Sequence, residues 1–120
     1  MLKKSFMIGL LLTISMCHAA RFYIDNKTNE DIKVKIQFVF LDNPKMFNQL
    51  KANIRAGETA TIREPNNQKL RALKIGPSGN SKRGYTTVHT VTDHSADYFT
   101  IVKPEIGRYD VHEGRYTPCH

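Results

Sequence analysis

The chain has 120 residues, with 18 Lys and Arg against 11 Asp and Glu, a formal net charge of +7 with neutral histidines, two cysteines and no tryptophan. That length holds one small domain with a modest core. Two cysteines exclude a disulfide-dense scaffold, and the basic excess gives a soluble, self-repelling surface with weak attraction to anionic surfaces.

Residues 1–20 read MLKKSFMIGLLLTISMCHAA. Lys3 and Lys4 form a positive start, Phe6 to Met16 is apolar, and Ala19-Ala20 closes the run with small residues. This order is that of a bacterial-type secretory signal peptide, and the run is too short to cross a bilayer as a helix. Cleavage after Ala19 assigns residues 1–19 to the signal and 20–120 to a single mature domain. Acylation at Cys17 is the less favoured route, because Met16 is large where a lipoprotein signal calls for a small residue. Without Lys3 and Lys4 the mature chain keeps 16 basic and 11 acidic residues, about +5. Cys119 is then the only thiol, which excludes an internal disulfide and leaves a disulfide dimer as one option. The expected location is the periplasm or the exterior.

A short strand is expected over Arg21 to Asp25, and the polar cluster Asn26 to Asp31 forms a turn. Ile32 to Leu41, IKVKIQFVFL, alternates strictly. Ile32, Val34, Ile36, Phe38 and Phe40 share one face, with Lys33, Lys35 and Gln37 on the other. Such an apolar face needs a second layer to cover it. Asn43-Pro44 and the spacing of Met46, Phe47 and Leu50 predict a short helical turn. Further strands are expected at 51–54, 59–63, 70–75, 85–91, 98–103 and 108–112. LRALKI at 70–75 is apolar on both faces and so central. Gly57 supplies a turn with positive φ.

Seven or eight short strands at regular spacing, with no strand–helix alternation, predict an all-β fold, a small antiparallel β-sandwich. The stretch 54–62, IRAGETATI, resembles strand–turn–strand pieces of immunoglobulin-like exported domains. The Cys…Trp…Cys signature of antibody domains is absent. The resemblance implies an immunoglobulin-like sandwich and nothing about activity.

Three groups of side chains carry possible chemistry. Lys69, Arg71, Lys74, Lys82 and Arg83 fall together without an acid, with Tyr85 beside them. They form a candidate site for a polyanion on a basic strand edge. His89, Asp110 and His112 supply a zinc- or copper-type donor set if their strands meet, the alternative reading. For catalysis, Ser78, Ser81 and Ser95 lack a nucleophile elbow, and Cys119-His120 lies at the chain end. Glu58, Glu64, Asp97 and Glu105 sit in or beside turns. The expectation is therefore a non-enzymatic exported module without cofactor. Its partner would be a protein or an anionic glycan or lipid surface, with nucleic acid disfavoured.

Overall fold

The structure, a computed structural model, describes residues 21–79, 84–105 and 108–116. Residues 1–20, where the sequence predicts an export segment, and Ser81, Lys82, Arg83 and Cys119 lie outside the described residues. Among the described residues there are eight strands and no helix. The strands are β1 (Arg21–Asn26), β2 (Ile32–Phe40), β3 (Phe47–Ile54), β4 (Thr59–Arg63), β5 (Gln68–Pro77), β6 (Thr87–Thr90), β7 (Tyr98–Glu105) and β8 (Arg108–Gly114). They build two four-stranded sheets, ordered β4-β1-β7-β8 and β3-β2-β5-β6.

Alternation decides what each sheet buries. On β2, Ile32, Val34, Ile36 and Phe38 are buried, and Lys33, Lys35 and Gln37 between them are half-buried on the opposite face. Phe22 and Ile24 of β1 and Phe99 and Ile101 of β7 provide the facing layer. The Phe22 ring lies 6.3 Å from Phe38 in the other sheet and meets Phe99 edge-on at 5.8 Å. Each such side chain, fully buried, contributes roughly 1.5–3 kcal/mol. The result is a sandwich-like all-β fold with one core between two sheets.

Three sequence expectations need correction. Residues 43–50 form no helical turn. The chain turns at 41–46, and β3 begins at Phe47, pairing with Val39 and continuing rung by rung to Ile54 opposite Ile32. Long-range pairing with β2 outweighs a local spacing that fits only one or two helical turns. The sheets are not purely antiparallel either, since β1 runs parallel to β7. The expected strand 85–91 shortens to β6, because 84–86 lifts over the outside of the sheet. The central placement of LRALKI is found: β5 lies between β2 and β6.

Buried Asn26 locks the loops at one end. Its Nδ2 donates to the carbonyls of Glu30 (2.9 Å) and Ile54 (3.0 Å). Its Oδ1 accepts from the Thr28 amide (3.0 Å) and hydroxyl (2.5 Å). One side chain therefore joins the β1–β2 turn to the end of β3. Gly57, at φ 77°, makes the β3–β4 turn, and its amide donates to the Asn26 carbonyl at 2.8 Å.

Candidate functional site

The second sheet carries formal charge of one sign only. Its strands carry Lys33 and Lys35 on β2, Lys51 on β3, and Lys69, Arg71 and Lys74 on β5, with no Asp or Glu on any of the four. The first sheet is balanced, with Arg21, Arg63, Lys103 and Arg108 against Asp25, Glu105, Asp110 and Glu113.

Strand register gathers these cations. Lys35 lies directly opposite Lys51 on one side and Lys74 on the other, so three lysines form a row across three strands. Directly paired residues share a face, and this face points away from the core. Lys69 stands opposite Val39 on the same face. A bulge between Gln37 and Phe38 in the β2–β5 register leaves Arg71 exposed beside it. Among the described residues, no carboxylate lies within ion-pair distance of Lys35, Lys51, Lys69, Arg71 or Lys74.

Tyr85 lies over this face. The ammonium groups of Lys33 and Lys35 sit 5.0 and 4.8 Å from its ring centroid, within cation–π range. Gly76 makes this possible. A Cβ there would fall 2.5 Å from the Gly84 carbonyl oxygen and 3.1 Å from Tyr85 Cα, so only glycine lets the 84–86 segment cross so closely. The Thr86 amide fixes the segment by donating to the Ile75 carbonyl at 2.8 Å.

Of the expected polyanion residues, Lys69, Arg71 and Lys74 lie on β5, which is central in its sheet but paired to β6 only over Ala72–Ile75, and Tyr85 lies over the neighbouring lysines of β2. Lys33, Lys35 and Lys51 were not among the candidates. Their signal was the outward half of the β2 alternation, which becomes a site only once β3 and β5 are paired to it.

The proposed metal donors do not gather. His89 and Glu113 face each other where β6 and β8, edges of different sheets, meet at one rim. His89 Nε2 lies 2.5 Å from Glu113 Oε2. Asp110 and His112 occupy the alternate positions of β8, opposite Val102 and Thr100, and so turn away from His89. Among the described residues no three His, Cys, Asp or Glu side chains are grouped to hold a metal ion.

Glu113 instead anchors a corner. It accepts from the Thr92 amide (2.9 Å) and hydroxyl (3.0 Å) and from the Asp93 amide (2.7 Å). Burial alone would raise its carboxyl. The amides of Thr92 and Asp93, the His89 ring and the Thr92 hydroxyl outweigh burial and hold the carboxyl down at about 2. Two of the carboxylates that the sequence offers for catalysis likewise hold backbone: Glu64 accepts from the Leu70 amide at 2.9 Å, and Asp97 from the Tyr116 amide at 2.6 Å.

The outside of the first sheet carries a tyrosine cluster that the sequence reading missed. Tyr23 and Tyr98 are neighbours across β1 and β7, and Tyr116 stacks on Tyr98 at 5.7 Å. The Tyr98 hydroxyl donates to Asp25 at 2.6 Å, and that bond raises its pKa. The rings contact one another, and the cluster fastens the segment after β8 to the sheet.

Comparison with known proteins finds no matching family model, no matching curated protein and no matching solved structure.

Proposed function

We propose that this chain is an exported, non-enzymatic binding module that engages polyanionic surfaces, glycan or lipid, through the outer face of its second sheet. It would follow a cleaved export segment as one immunoglobulin-like domain and act in the periplasm or outside the cell. The observation that carries this reading is the Lys51–Lys35–Lys74 row on a sheet without a single acid. Like charges directly opposite across strands destabilise a sheet. A fold that sets three of them side by side gives up stability for a concentrated positive field, as binding sites do.

The test is retention of the mature protein on heparin, a generic linear polyanion, as salt is raised. Tight binding at low ionic strength, falling steeply with added salt, is expected. Passage through the matrix unretarded at low salt overturns the reading.

A further inference from the structure

We propose that the turn joining β2 to β3 is an apolar wedge that enters an anionic lipid bilayer and seats the cationic sheet face against the headgroups. The inference rests on the binding face above and narrows its partner to lipid. Leu41, Met46 and Phe47 are 60, 54 and 58 % exposed, three large apolar side chains within seven residues at one end of one hairpin. Isolated exposed apolar residues are ordinary, but a cluster of this kind marks an interaction surface.

Its position points to the occupant. Phe47 pairs with Val39, and both lie on the lysine face, four residues along their strands from Lys51 and Lys35. Lys69 stands opposite Val39, so the apolar end adjoins the cationic surface directly. Leu41 and Met46 extend it beyond the last rung. The remaining charged residues of the turn, Asp42 and Lys45, cancel. Val88, also exposed, adjoins Lys74 on the same face.

Anionic bilayers recruit this combination. Lysines are drawn to the headgroups over a Debye length, about 10 Å at 0.1 M salt. Apolar side chains that reach past the headgroup level then bury area in the acyl region. A free polyanion would satisfy the lysines and leave the wedge without a role. Charge complementarity therefore selects a negatively charged lipid surface.

The experiment measures co-sedimentation of the mature protein with vesicles of phosphatidylglycerol and phosphatidylcholine, with pure phosphatidylcholine vesicles and heparin run in parallel. A triple variant, Leu41→Ser, Met46→Ser and Phe47→Ser, removes the wedge. These side chains are outside the core, and far-UV circular dichroism checks that the variant folds. Binding to anionic vesicles and not to phosphatidylcholine is expected, with the triple variant weakened roughly tenfold or more on vesicles and unchanged on heparin.

A second variant, Phe47→Trp, places the chain's only tryptophan at the wedge, and its emission should shift to the blue on anionic vesicles alone. Vesicle binding unaffected by the triple variant, or an unshifted emission, overturns insertion. Retention on heparin without vesicle binding overturns the lipid assignment and leaves the cationic face standing. Failure on both overturns that face as well.

Discussion

Asn26 and Glu113 show how single polar side chains stabilise this fold where apolar packing cannot reach. Asn26 is fully buried and makes each of its side-chain bonds within the protein, so its loss would take a donor from the Ile54 carbonyl, one of two donors from the Glu30 carbonyl and the acceptor from the Thr28 amide, at about 1–3 kcal/mol. Asn26-Lys27-Thr28 has the form of a glycosylation site, but the amide nitrogen is occupied and enclosed. Glu113 binds the chain where it passes from the second sheet back to the first. Its carboxyl is held at about 2, below its ordinary 4.5, so the unfolded chain takes up the proton more readily than the folded one. Its contribution is complete above about pH 5 and is lost as pH falls through about 2. Glu113→Gln should therefore lower stability at pH 7 by roughly 1.5–3 kcal/mol, and the difference from wild type should close on acidification. Urea unfolding at pH 7, 4 and 2 measures this. A gap that stays constant over that range would show that the carboxylate's charge is not what holds the corner.

β2 was legible in the sequence because apolar and polar residues alternate from Ile32 to Phe38 and both consequences, a buried face and a lysine face, follow from geometry alone. β3 was not. Met46, Phe47 and Leu50 have a spacing that suits a helical turn, and nothing local reveals that this segment pairs with β2 as an edge strand whose side chains are mostly exposed. β5 was expected to be central on the reading of two apolar faces, and it is central, but its outer face carries Lys69 and Lys74 and its run of apolar residues spans the bulge opposite Gln37 and Phe38. Lys74 lies where β5 is flanked by both β2 and β6 and rises from the face, whereas Lys69 precedes the β6 pairing and has only β2 beside it. Lys51 sits at the end of the lysine row and has Lys35 opposite. Lys51→Glu converts a repulsive pair into an attractive one. It should stabilise the fold by about 0.5 kcal/mol while weakening heparin binding, a gain and a loss from the same atom group. Thermal melts alongside heparin elution read both. A variant that is less stable than wild type contradicts the strain assigned to the row.

In the molecule as a whole, charge is sorted between sheets. One sheet balances its acids and bases, and the other carries bases alone. The sequence shows the net excess but not the sorting, because β1, β4, β7 and β8 are interleaved along the chain with β2, β3, β5 and β6. Only pairing assigns each strand to its sheet, so Lys33, Lys35 and Lys51 join Lys69, Arg71 and Lys74 only in the folded sheet. The histidines illustrate the converse. His89 and His112 lie on neighbouring edges, but period-two alternation points His112 away and gives His89 the carboxylate of Glu113.

If the second sheet's outer face is the binding surface, the location of charge must matter more than its amount. Two double charge reversals with the same change in net charge separate these: Lys35→Glu with Lys74→Glu on the second sheet, and Arg21→Glu with Arg63→Glu, opposite each other on the first. Each variant would be confirmed folded by its melt, and its heparin affinity measured at one fixed salt concentration. A loss of tenfold or more for the lysine pair, with a clearly smaller loss for the arginine pair, is the expected result. Equal losses from both pairs would mean that net charge alone draws the polyanion, and that the lysine row is not its site.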